Sequence, residues 1–146
     1  MNQQKFVVAP NEVETIIADW VTAKIIGGPG VSAIRNMSAV ILYFEPGQGH
    51  ARHHHPDSEQ FIFVISGQGE QMVEDENGKP VIEPLSAGSL VSIPKGAYHS
   101  TFNTGWEPMR ILAIYSPPGP EQHMRNSSEF KVLPAGKVPS RLHKTQ

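Results

Sequence analysis

Short apolar runs that stop at glycine or proline recur along this chain, and they constrain its fold more than any other feature. Ser38–Phe44 (SAVILYF), Gln60–Ile65 (QFIFVI), Val81–Leu85, Ser89–Ile93 and Met109–Tyr115 (MRILAIY) are strand-sized and rich in β-branched or aromatic residues. Glu45-Pro46-Gly47, Ser66-Gly67-Gln68-Gly69, Pro94-Lys95-Gly96 and Ser116-Pro117-Pro118-Gly119-Pro120 punctuate them. Glu70–Glu74 and Val81–Leu85 face each other across an Asn77-Gly78 tip and read as one hairpin. Thirteen glycines and thirteen prolines in 146 residues supply many turns and no convincing long helix. The prediction is an all-β sandwich or barrel. No internal repeat is present, so one barrel is expected and not two.

The flanks are less regular. Residues 1–37 are expected to give N-terminal strands and a loop, with a candidate dimer contact. Within them, Lys5–Ala9 (KFVVA) is a strand candidate closed by Pro10. Residues 11–26 admit two readings: Val13, Ile16, Ile17 and Trp20 would suit a helix face, while Trp20–Ile26 alternates as a strand does. The strand reading is preferred for the second half. Residues 38–116 form the predicted barrel, and residues 117–146, polar and proline-bearing, are expected to lie on its surface as a tail. One domain accounts for the whole length.

Composition narrows function. Apolar residues make up 38%, charged residues 18%, and the net charge is −2. That describes a soluble globular chain with no basic surplus for nucleic acid. No apolar run approaches the roughly 20 residues of a membrane helix. The N-terminus lacks a signal-peptide pattern, so a cytoplasmic location is expected. Cysteine is absent, so any metal must be held by nitrogen and oxygen.

Those donors are present. His53 and His55 stand two residues apart, just ahead of the Gln60–Ile65 run. On an extended chain residues at i and i+2 point the same way, so these imidazoles should project side by side while His54 faces away. A third, His99, follows a proline-glycine turn before a later strand. Three imidazoles from two strands, with positions left open for water or substrate, make a metal site.

The spacing of these residues resembles a known family. Gly47, His53, His55 and Gly67 resemble the first cupin motif, G-x5-H-x-H-x3–4-E-x6-G. Gly88, Pro94, Gly96, His99 and Asn103 match the second, G-x5-P-x-G-x2-H-x3-N, at every fixed position. The resemblance covers roughly residues 38–116. It implies a single double-stranded β-helix, the jelly-roll-like cupin barrel, with one divalent metal per chain (iron, manganese, nickel or zinc). Dimers are common among cupins, so a homodimer is implied. The family's fourth ligand is a glutamate, and here two neighbours compete for its place. Glu59 satisfies the shorter spacing from His55; Gln60 satisfies the longer one and the gap to Gly67. Adjacent strand residues face opposite ways, so only one points inward unless a bulge intervenes. Gln60 is preferred, because some metal-binding cupins carry glutamine there, and Glu59 is the alternative.

Other candidates carry weaker signals. Tyr98, Phe102 and Arg52 are candidates to contact substrate, although strand parity sets Arg52 on the face of His54. Tyr43 and Trp106 suit packing equally well. His50 could line the barrel mouth but reads more readily as a solvated loop, His123 and His143 read as tail, and Asn103 as a fold residue. Phe61, Phe63 and Ile65 would form an apolar outer face, covered by the N-terminal strands or by a second subunit. The resemblance implies a metal-dependent enzyme acting on a small oxygen-rich molecule, a carboxylate or sugar derivative. Isomerase or lyase chemistry and dioxygenase chemistry are both open. The alternative is a non-enzymatic metal-dependent binding or sensing module.

Overall fold

The computed structural model describes residues 5–140. After a short 3-10 turn at Pro10–Glu12 come β1 (Thr15–Ala18), β2 (Val21–Gly27), β3 (Ser38–Phe44) and β4 (Gly49–His53). Then follow β5 (Glu59–Ser66), β6 (Gln68–Glu74), β7 (Pro80–Ser86), β8 (Leu90–Ile93), β9 (His99–Asn103) and β10 (Met109–Ser116). Helix α1 (Pro120–Asn126) and β11 (Lys131–Leu133) complete the order. Two antiparallel sheets form: seven strands in the order β11-β1-β2-β3-β10-β5-β8, and four in the order β4-β9-β6-β7. Strands distant in sequence thus pair, as a jelly roll requires. The fold is the predicted all-β double-stranded β-helix.

Alternation builds the core. Along β5, Gln60, Ile62 and Val64 are buried while Phe61 and Phe63 are exposed. β10 follows the same period, burying Met109, Ile111, Ala113 and Tyr115. Phe44, Met109 and Ile111 are fully buried, each side chain contributing about 2–3 kcal/mol. Gly49 lies so close to β9 that a Cβ there would meet the Thr101 carbonyl oxygen at 2.1 Å. Gly67 turns β5 into β6 with φ +93°, a left-handed conformation that favours glycine.

The flanks depart from the sequence reading at both ends. Residues 5–9 form no strand; the Lys5 carbonyl only accepts a hydrogen bond from the Ala33 amide. Between them, the preferred strand reading of Trp20–Ile26 holds as β2, and the α-helix alternative for residues 11–26 does not, because β1 and β2 pair as a hairpin that extends the sheet beyond β3. The segment expected as a surface tail packs instead. β11 pairs with β1, and α1 buries Met124 and Glu121. Glu121 accepts hydrogen bonds from the Ser38 hydroxyl at 2.7 Å and the Gly119 amide at 2.8 Å. An apolar Met124 and a satisfied buried carboxylate anchor a stretch whose overall polarity suggested solvent. His143 lies outside the described residues. Among the described residues no helix is long and apolar enough to cross a membrane.

Candidate metal centre

His53 ends β4 and His99 begins β9, and the two are paired across the ladder. His55 follows on the loop into β5. The ligating nitrogens available on His53, His55 and His99 all lie within 4.8 Å of one another. Backbone carbonyls set the rings: His53 Nδ1 contacts the Ala51 carbonyl at 2.7 Å and His99 Nδ1 the Ala97 carbonyl at 2.9 Å. This occupies Nδ1 and leaves Nε2 to face the centre.

Of the adjacent pair Glu59 and Gln60, Gln60 faces inward, 5% exposed, and Glu59 faces solvent. Gln60 Oε1, His55 Nε2 and His99 Nε2 are sealed from water and have no hydrogen-bond partner among the described residues. Buried polar atoms are rarely left so. Two of these atoms belong to the three-imidazole cluster, and Gln60 adds an inward-facing amide oxygen from β5, a nitrogen and oxygen donor set that fits a divalent cation.

Electrostatics agree with that fit, since a metal needs neutral imidazoles. Burial, reinforced by repulsion from His50 and His99, pushes His53 down to about 2. Burial also lowers His55 to about 4, with His99 adding to the effect. His99 is lowered by burial against the opposing pull of the Ala97 carbonyl.

His53 and His55 front a cavity of about 450 Å³, whose wall also includes His50, Ser58, Tyr115 and His123. His50 was read from sequence as loop. A bulge between His50 and His53 adds one residue to β4, so both imidazoles reach the inner face despite their odd spacing. His50 stacks on His53 at 3.4 Å and on Trp20 at 4.3 Å between ring centroids. Burial, then the neighbouring His99 and His55, pushes His50 down to about 3. Tyr115 had no signal beyond its place in a strand. The cavity's far side is residues 117–123, tied down by the Ser58 hydroxyl donating to the Pro117 carbonyl at 2.8 Å.

The three residues nominated for substrate sit elsewhere. Arg52 makes an ion pair with Glu74 and lies 3.8 Å above the Tyr98 ring centroid. Tyr98 in turn stacks on exposed His54 at 4.2 Å. Arg52 and Tyr98 do not line the cavity, although His54 beside them does. Phe102 is 37% exposed, on a strand whose His99, Thr101 and Asn103 point inward. Parity excludes it from the site. Trp106 is exposed, and Tyr43 lines a separate groove of about 600 Å³ by the β1–β2 hairpin, where no ligating cluster occurs among the described residues.

Comparison with known proteins agrees with this geometry. A family model described as a cupin domain matches residues 40–115. Protein SchB of Streptomyces halstedii is 31% identical over 101 residues, covering 67% of this chain and 70% of SchB. A glucose-6-phosphate isomerase of Thermococcus kodakarensis is 34% identical over 74 residues, 51% of this chain but only 38% of that protein. Among solved structures, the formate complex of Lactobacillus farciminis oxalate decarboxylase superposes with a TM-score of 0.69 at 25% identity. It covers 75% of this chain and 32% of that one.

Proposed function

This chain belongs to the cupin family, and we propose that it is a metal-dependent enzyme acting on a small oxygen-rich molecule, a carboxylate or sugar derivative. His53, His55, His99 and Gln60 would hold one divalent metal per chain, of the iron, manganese, nickel or zinc class. The observation that carries the reading is the set of sealed, partnerless donor atoms on Gln60, His55 and His99. Bound there, the metal would supply Lewis-acid chemistry or, as iron, dioxygen activation.

The chain's own residues set the terms. Three imidazoles and an amide are neutral, so the donor set leaves a divalent cation its full charge to attract an anion. His50 backs His53 on one face, and Trp20 backs His50. Residues 117–123 cover the cavity and limit it to a small substrate. The names of two similar proteins, an isomerase of a sugar phosphate and a decarboxylase of oxalate, are those of enzymes working on small oxygen-rich molecules.

A second copy of the chain is the proposed cover for the outer sheet face. Phe61 (48% exposed), Phe63 (40%) and Leu90 (56%) stand there. β1 and β2 extend the sheet edge and do not lie over them. Exposed apolar area of this kind marks an interface.

The enzyme reading is tested by stripping the protein, reloading it separately with iron, manganese, nickel and zinc, and assaying sugar phosphates and small carboxylates. Turnover that depends on the metal is expected, with oxygen uptake marking dioxygenase chemistry and its absence marking isomerase or lyase chemistry. Metal binding with no turnover of any of these would leave a binding module.

A further inference from the structure

Among the cavity-lining side chains, Tyr115 combines deep burial with an uncommitted hydroxyl. It is 5% exposed and lines the same cavity as His53 and His55. Across the ladders it stands between Gln60 of β5 and Ser38 of β3. Its ring meets the His55 imidazole edge-on, with centroids 5.2 Å apart. Tyr115 is thus next to two of the four proposed ligands.

No hydrogen bond among the described residues engages its hydroxyl, and that oxygen is not one of the atoms sealed from water. A buried phenol usually has a partner. The other hydroxyl on the cavity wall is committed, since Ser58 donates to the Pro117 carbonyl. Ser38 is likewise committed to Glu121. No lysine or arginine lines the cavity. An anion entering it would therefore meet the metal's charge and, among the wall's hydroxyls, the Tyr115 O–H, with ring N–H groups of His50, His54 and His123 as the other neutral donors.

Building on the metal-dependent reading, we infer that Tyr115 is a substrate-binding residue whose hydroxyl donates a hydrogen bond to an oxygen of a metal-held chelator. The ligand class follows from the donor set. A divalent metal held by that set would keep open positions, which would suit a molecule binding through two adjacent oxygens. The neutral ligands favour an anion. A 2-oxo or 2-hydroxy carboxylate meets both conditions. Tyr98, the tyrosine nominated from sequence, packs on Arg52 and His54 and does not line the cavity.

The test uses the full chain loaded with cobalt(II), whose visible spectrum reports both uptake and a change of ligand, titrated with oxalate as the probe. Wild type, Tyr115→Phe and the control Tyr98→Phe are compared. Phenylalanine keeps the ring against His55, and unchanged melting and cobalt spectra verify the fold. The expected result is unchanged cobalt affinity in all three and oxalate binding about tenfold weaker in Tyr115→Phe alone. Equal oxalate affinity in wild type and Tyr115→Phe overturns the assignment while leaving the metal site intact. No oxalate binding to cobalt-loaded wild type overturns it too. A wild type that takes up no cobalt defeats the metal-dependent reading itself.

Discussion

Asn103, at the end of the second motif, is expected to hold the barrel together and leave the metal alone. It is 1% exposed. Its Nδ2 donates to the Phe44 carbonyl at 2.9 Å and the Glu107 carbonyl at 2.8 Å, and its Oδ1 accepts from the Gly105 amide at 2.9 Å. One side chain thereby ties the end of β3 to the β9–β10 turn. Replacing it with alanine strands two carbonyls and one amide. Each group left wanting inside the protein costs about 1–3 kcal/mol, less where water reaches it. Since only the bond to Phe44 is fully buried, the sum should be about 3–4 kcal/mol. For a chain of this size that is a fall of about 10 °C in melting temperature. Asn103→Asp should do no better at neutral pH, because a carboxylate cannot donate to either carbonyl. Thermal melts followed by circular dichroism, with metal content measured on the same samples, check this. A variant that melts like wild type but loses its metal would refute the reasoning.

Gln60→Ala should weaken metal binding at least about tenfold while Glu59→Ala leaves it unchanged; competition with a chelating dye gives the ranking, and the reverse order would move the site to Glu59. Metal-free protein should lose stability as pH falls below about 6.5. His53 and His55 are held near 2 and 4 in the fold, so the unfolded chain takes up protons first, costing up to about 1.4 kcal/mol per pH unit for each group. Urea melts that stay constant between pH 7 and pH 5 would contradict that sign. Phe61→Ser combined with Phe63→Ser should convert a dimer to monomer in sedimentation, and a wild type already monomeric ends the interface proposal.

Much of the barrel was legible because its strands obey simple periods. Alternation put His53 and His55 together and allowed only one of Glu59 and Gln60 to face inward; the spacing to Gly67 and the family resemblance favoured Gln60, which is the buried one. His50 lay outside the reach of that rule, because the sequence set it ahead of the strand; one extra residue in β4 brings it beside His53, and nothing local in His50-Ala51-Arg52-His53 announces it. Tyr115 was invisible for a different reason. Its place beside Gln60 depends on the β10–β5 pairing, which the sequence of neither strand specifies. The end of the chain was misread because polarity was averaged over the segment. Two buried side chains, Glu121 and Met124, and one short pairing of β11 with β1 outweigh that average. Residues 5–9 show the converse: an apolar run became no strand, and Phe6 and Val7 are 79% exposed.

The most direct test of the metal centre is elemental analysis of wild type beside His53→Ala and His99→Ala, each reloaded with zinc and dialysed under identical conditions. The predicted result is about one zinc per wild-type chain and most of it lost from both variants, with all three proteins still folded. Full stoichiometry in either variant, or none in wild type, would contradict the assignment.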